Sequence, residues 1–275
     1  MESEKIMRIK PHDQTYRRRA AGSAARASIL SLPTALLLLL TAPSAQAQET
    51  VWLVAPYGWL PDISLAQSGG GDSPSGGISG GDLLSKTDTT GMIRVEAARG
   101  RFGVTVDYLF ISLSDQGVFE TPGPLLPSIN IRAELDVQVL EVGGFYRPSG
   151  DDRGFDYLAG VRTIDSDKTL LATPEDGPTQ RFDTGSRLTD VFVGARYLYR
   201  FNDRWDLGVR GDIGFGESDG TVNLIVSGGY RFPGPFALQL GYRYVNLEYT
   251  ETAGSEDETT EIEFNGPFVG ALFRF

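Results

Sequence analysis

Trp205, Leu207, Val209, Ile213 and Phe215 alternate with Asp206, Arg210 and Asp212, and a two-residue period of this kind recurs along most of the chain. Successive side chains of a strand point to opposite faces of its sheet, so the period specifies strands with one apolar and one polar face. Val191, Val193, Tyr197, Tyr199 and Phe201 likewise oppose Arg196 and Arg200, and Val222, Leu224, Val226, Tyr230 and Phe232 oppose Asn223, Ser227 and Arg231. About ten segments read this way: 51–62, 90–99, 101–113, 129–147, 154–165, 187–201, 204–216, 220–232, 236–250 and 259–275. Beyond residue 47 no apolar run approaches the roughly 18 residues that mark a spanning helix.

The connections alternate in length. Arg99-Gly100-Arg101, Pro148 to Arg153, Asn202-Asp203 and Pro233-Gly234 are short. Between them lie 63–89, 114–128 with Pro122, Pro124 and Pro127, and 166–186, while 217–219 and 251–258 fall in the same phase. Short turns at one end and long loops at the other are the pattern of a membrane barrel, whose closed sheet leaves no backbone group unpaired in lipid. The expected fold is all-β: a transmembrane antiparallel up-and-down β-barrel of about ten strands, with eight as the alternative because the first two segments are the weakest. A soluble sandwich would use the same alternation. It would not explain why Phe102, Phe145, Tyr146, Phe155, Tyr199, Phe201, Trp205, Tyr230, Phe232, Phe236 and Phe275 crowd the short-turn end, as an interfacial girdle does. The last strand, with Val269, Ala271, Phe273 and Phe275 on one face, ends as Gram-negative outer-membrane barrels do, so Phe273 and Phe275 read as a signal to the barrel-assembly machinery.

Residues 1–47 read as a cleaved signal peptide, leaving one domain over 48–275. Arg17, Arg18, Arg19 and Arg26 precede an apolar core from Ile29 to Leu40, and Ala45-Gln46-Ala47 is an A-x-A cleavage signal. Met7 is an alternative start. Export by the general secretory route to the outer membrane follows, because barrel precursors must stay unfolded. Removing seven of the 25 basic residues and three of the 36 acids leaves 18 and 33, a net charge of −15. Such a surface repels nucleic acid. With no cysteine, disulfides and thiolate metal sites are excluded.

Two places depart from regular alternation. Glu141 is in phase with Val137 and Val139, which predicts a bulge and a change of face in 129–147. Pro56 and Pro267 fall in the first and last strands, which must pair to close the barrel, so an irregular seam is expected.

The segments GRFGVTVDYLFISLSD, LAGVRTIDSD, VGARYLYRFNDRWDLGVRGDIGFG, GGYRFPGPFALQLGYRYVNLEY and GPFVGALFRF, with the opening WLVAPYGWLPDI, resemble a large and mostly uncharacterised family of proteobacterial outer-membrane β-barrel proteins. Phe215 stands where that family has a second glycine, and 166–186 is individual. The resemblance implies location and fold and carries no mechanism. In plan the chain is also similar to small barrels of the OmpA and OmpW type, by analogy alone.

Enzymatic chemistry is not expected. Barrel hydrolases use a histidine as base or partner, and the single histidine, His12, lies in the segment to be removed. Glu134 and Asp136, at i and i+2 on one face, keep a histidine-free acid mechanism as a remote alternative. Arg94, Glu96, Asp107, Glu134, Asp136, Arg162, Arg196, Arg210, Asp212, Arg231 and Arg243 are expected to line the lumen, with acids on the third and fourth strands facing arginines on the sixth to ninth. That set reads either as a salt-bridge network filling a structural or surface-interaction barrel, the favoured reading, or as the constriction of a small pore for hydrophilic solutes. The acids Glu251, Glu256, Asp257, Glu258, Glu261 and Glu263 read as solvated loop charges, with bridging to lipopolysaccharide phosphates through divalent cations as the lesser alternative; no resident metal or cofactor is expected. Membrane lipid and lipopolysaccharide are the expected partners; the oligomeric state stays open. The RGD triplet Arg210 to Asp212 lies mid-strand, its charges inward. Gly69 to Gly81 reads as a flexible loop.

Overall fold

The computed structural model describes residues 49–68, 75–119, 129–174, 177–253 and 256–275. The expected export segment, with Ala45 and Ala47, lies outside them. The described residues form twelve strands: β1 (Val51–Trp59), β2 (Asp62–Ser68), β3 (Ser75–Ile78), β4 (Thr87–Arg99), β5 (Phe102–Phe119), β6 (Ile129–Tyr146), β7 (Gly154–Pro174), β8 (Gln180–Arg200), β9 (Trp205–Gly216), β10 (Gly220–Arg231), β11 (Phe236–Ala253) and β12 (Glu256–Arg274). One short helix, α1 (Gly80–Lys86), precedes β4. β1 and β4 to β12 pair with their neighbours, and β12 returns to β1, closing a ten-stranded antiparallel barrel. The eight-strand alternative is excluded.

Exposure is inverted relative to a water-soluble protein. The buried set is rich in charge and includes Asp107, Glu141, Arg162, Arg210, Asp212 and Arg243, while Leu240, Ile213, Phe215, Val226, Val193 and Val269 point outward and exposed. A soluble sandwich would bury the second set. An apolar outer belt around a charged interior is what a barrel wall in lipid requires, and the barrel is transmembrane. Rings at the short-turn end touch in a chain running Tyr199, Phe201, then Trp205, Tyr230, Phe232, Phe236, Phe273, with centroids 4.8 to 5.4 Å apart. Phe145, expected in this girdle, faces inward instead and is 4% exposed.

Several expected loops prove to be strand. Residues 166–174 and 180–186 continue β7 and β8 in register as far as Ala172 opposite Gln180, and β5 runs on to Phe119. A strand crosses the hydrocarbon in about 9–11 residues, so the 21-residue β7 and β8 run well past it. Past the hydrocarbon both faces of the wall meet water and the apolar alternation lapses, as at Asp165 with Arg187 and at Thr169 with Asp183. Within the stretch expected as a flexible loop, β3 and the start of α1 are ordered. Ser79 caps the helix by accepting from the Asp82 amide at 3.2 Å, and Asp62 accepts from the Gly80 amide at 2.6 Å.

The seam is irregular, as expected, yet it keeps its register. β12 pairs with β1 through Trp59 opposite Phe268 and then with β2 from Asp62 opposite Asn265. Pairing lapses only at Ala55–Pro56 and at Leu60–Pro61. Proline has no amide to donate, but the Leu60 amide still reaches the Pro267 carbonyl at 3.0 Å. On its other side β1 pairs with β4 only up to Pro56 opposite Ile93, beyond which β3 takes the place beside β2. The bulge expected near Glu141 is absent. β6 pairs with β5 and β7 without a slip, and Glu141 shares the inner face with Val137 and Val139.

Candidate functional site in the barrel lumen

Ion pairs fill the middle of the barrel. Glu141 accepts from three arginines on three other strands: Arg162 Nε at 3.0 Å, Arg243 Nη2 at 3.2 Å and Arg210 Nη2 at 2.9 Å. Asp212 accepts from Arg162 Nη2 at 2.6 Å, Arg210 Nε at 2.8 Å and Asn223 Nδ2 at 2.7 Å. Arg243 Nε donates to Asn223 Oδ1 at 3.1 Å, and Arg162 Nη1 to the Thr221 hydroxyl at 3.2 Å. Tyr57 donates to Asp107 Oδ1 at 2.8 Å, and Arg94 binds the other oxygen of Asp107 through Nε and Nη2. A buried charge is tolerable only when paired and hydrogen-bonded, and here every carboxylate oxygen of Glu141, Asp107 and Asp212 is occupied.

Glycines shape this layer. A Cβ on Gly160 would stand 2.4 Å from the Val142 carbonyl and 2.8 Å from the Phe192 ring. Glycine at that position lets the ring lie against the wall, where Arg162 and Arg210 stack over it at 5.2 and 5.6 Å. Phe145 lies over Gly103 in the same way, beneath Arg147 and Arg196. The cation faces the negative side of the ring, a favourable arrangement once water is excluded.

Toward the short turns, Arg196 bridges Glu96 at 2.5 Å and Asp156 at 2.7 Å, and Arg147 also holds Asp156. At the mouth Asp152 accepts from Arg200 at 2.7 Å and Arg274 at 2.5 Å, with Arg231 at 3.8 Å. Arg231 binds Asp206 more closely, at 2.9 Å. Burial pushes the Asp152 carboxyl up, but the hydrogen bonds from Arg274 and Arg200 outweigh it and hold the group down at about 2. Between mouth and floor lies a cavity of about 580 Å³, lined by Glu96, Asp156, Arg196 and Arg210 and, beside them on the same strands and their neighbours, by Leu53, Ala55, Ile225 and Leu272.

On the far side of the ionic layer the lumen turns apolar. Each residue two positions farther from the short turns replaces a charge or hydroxyl: Met92 after Arg94, Leu109 after Asp107, Val139 after Glu141, Val245 after Arg243 and Trp59 after Tyr57. Trp59, Met92, Leu109 and Val245 are buried together, with Ile111, Val139, Phe264 and Phe268 against them. Trp59 donates to the Gly266 carbonyl at 3.2 Å, and Arg243 lies 5.0 Å above its ring.

Most expected lumen residues are where alternation placed them: Arg94, Glu96, Asp107, Arg162, Arg196, Arg210, Asp212, Arg231 and Arg243. Glu134 and Asp136 are not. They share the outer face of β6 with Gln138 and Leu140, where Arg132 pairs with Glu134 and the Ser112 hydroxyl donates to Asp136. The reason is the one that hid the strand extensions, since past the hydrocarbon an outward carboxylate costs nothing. The expected separation of acids from arginines also fails, because Asp156, Asp190 and Asp206 place carboxylates among the arginines of β7 to β9. Asp190 accepts from the Ser218 amide and hydroxyl and ties down the 217–219 loop. Sequence reasoning missed Phe192, Phe145, Tyr57 and Trp59 as lumen residues. Phe192 had a signal, since it is in phase with Asp190 and Arg196 and out of phase with Val191 and Val193.

Among the described residues no cluster of three or more metal-ligating side chains occurs. Carboxylates saturated by guanidinium groups have few lone pairs left for other ligands.

No protein-family model matches the sequence, and no curated protein matches it. Among solved structures, the outer membrane protease OmpT of Escherichia coli is 9% identical, with a TM-score of 0.46 over 85% of this chain and 99% of that one. The translocator domain of the autotransporter NalP from Neisseria meningitidis is 10% identical, with a TM-score of 0.41 over 88% and 93%. Ail, the attachment invasion locus protein of Yersinia pestis, is 7% identical, with a TM-score of 0.34 over 83% and 100%.

Proposed function

We propose that the protein is a Gram-negative outer-membrane barrel of structural or surface-interaction type, a member of the family its motifs resemble, and that it neither conducts nor catalyses. The observation that carries this reading is a pair of successive side-chain layers inside the barrel, one ionic around Glu141 and one apolar around Trp59. Opening a path would strip paired charges of their partners, which costs several kcal/mol for each buried ion left alone. The lone His12 stands outside 48–275, which supports a barrel without histidine-based hydrolysis. In this orientation the short turns face the periplasm, and the extended β7–β8 and β11–β12 hairpins rise outside, available to lipopolysaccharide and to partners at the cell surface. Phe273 and Phe275, exposed at the end of β12, serve recognition by the assembly machinery.

The deciding experiment is a planar-bilayer recording on the refolded protein. A silent bilayer, with a heat-modifiable band proving that the barrel formed, is the expected result. Discrete conductance steps would establish the small-pore reading instead.

A further inference from the structure

Thirteen of the 18 basic residues beyond position 47 are held in ion pairs. The five left over are Arg99, Arg101, Arg153, Arg204 and Lys168, and the four arginines all lie at the short-turn end. They sit in three successive turns, β4–β5, β6–β7 and β8–β9, and so form an arc along one side of the rim. All four are exposed. Arg99 is in phase with Ile93 and points out of the barrel, Arg101 lies against Gly150 of the neighbouring turn, and Arg204 reaches the Tyr230 hydroxyl at 3.5 Å. The girdle rings Phe102, Tyr146, Phe155, Phe201 and Trp205 stand in the same arc, outward and exposed.

We propose that this arc binds the headgroups of anionic glycerophospholipids in the leaflet at the short-turn end. The inference rests on the membrane-barrel reading and deepens it by naming a lipid class and its site. An aromatic girdle sits at the depth of the headgroups, which places the four guanidinium groups beside lipid phosphates. A guanidinium fork matches two oxygens of a phosphate, and among the described residues none of these four is held in an ion pair. Asp151, which accepts from the Arg153 amide, and Asp203 are the acids of those turns outside the described ion pairs, so the arc keeps a positive surplus. Zwitterionic lipid would bring its own ammonium group to the arginines, whereas a net negative headgroup would not. The opposite end of the barrel carries facing acids, with Glu248 directly across from Glu261.

The test is native mass spectrometry of the folded protein in mixed micelles of phosphatidylglycerol and phosphatidylcholine with the same acyl chains. At about 1 kcal/mol per basic residue near a charged surface, phosphatidylglycerol should be retained at least roughly tenfold over phosphatidylcholine. The preference should collapse toward parity in Arg99→Gln/Arg101→Gln/Arg153→Gln/Arg204→Gln and should weaken at about 1 M salt, where screening lengths shrink to about 3 Å. Equal retention by the wild-type protein overturns the proposal, as does a preference that survives both the substitutions and the salt. Stronger retention of lipopolysaccharide than of phosphatidylglycerol by the same arginines overturns the assigned lipid. Were the quadruple variant not to fold, the wild-type ratio and its salt response decide alone. Failure of the wild-type protein to give a heat-modifiable band in any lipid would instead refute the membrane-barrel reading.

Discussion

The floor of the lumen and its mouth use the same chemistry, arginines converging on a carboxylate, and differ in burial. Around Glu141 the three guanidinium groups and the carboxylate are nearly or fully withdrawn from water, and each Glu141 oxygen has a partner. Around Asp152 the carboxylate is 24% exposed, Arg231 is only loosely engaged, and Arg200 Nε is buried without a hydrogen-bond partner. An ion pair that water can replace contributes little, whereas breaking one that water cannot reach leaves uncompensated charge. The floor should therefore be rigid and costly to disturb, and the mouth adjustable.

The sharpest way to break this comparison is Glu141→Ala. Three buried arginines would lose their common acceptor, and the barrel should lose about 3–5 kcal/mol of stability against urea in lipid vesicles. A loss below about 1 kcal/mol would mean that water already enters the floor. Asp152→Asn should cost less, roughly 1 kcal/mol once solvent screening is allowed for. Its folded carboxyl titrates near 2, below the ordinary 3.8 of an unfolded chain. The stabilisation it provides is therefore complete above about 4 and is lost as the pH falls toward about 2. A urea-midpoint titration between those limits should slope in the wild-type protein and flatten in Asp152→Asn. The smallest effect belongs to Lys86, whose pair with Asp115 at 2.6 Å lies in water at the opposite end of the barrel. Lys86→Gln should leave the urea midpoint unchanged within error, and a measurable drop would mean that α1 helps to hold the wall beside the seam.

Much of this architecture is legible in the chain. Alternation in 204–216 and 220–232 is enough to put Arg210, Asp212 and Arg231 inside, because a two-residue period is a local property of any strand. Pro56 and Pro267 mark the seam by what they cannot donate. The misreadings have one physical source, the assumption that alternation persists wherever a strand does. Lipid imposes an apolar outer face only across the hydrocarbon, so an unbroken period puts Glu134 and Asp136 inside and makes the outer reaches of β7 and β8 look like loop. Glu141 misled in the opposite direction. A carboxylate in phase with valines suggested a bulge, but inside a barrel an ionic layer can follow directly on an apolar one along a single face.

By itself, then, the sequence determined which segments are strands across the hydrocarbon, the faces of most of their residues there and the end at which aromatic rings gather, since each follows from neighbours two residues apart or from the chemistry of a turn. Only the tertiary structure decided what fills the lumen. Glu141 meets Arg243 across 102 residues of chain and Arg162 meets Asp212 across 50. Which charges meet depends on the strand number, the register and the glycines that let Phe192 and Phe145 lie against the wall. A period of two specifies that a residue points inward; it does not specify what it finds there.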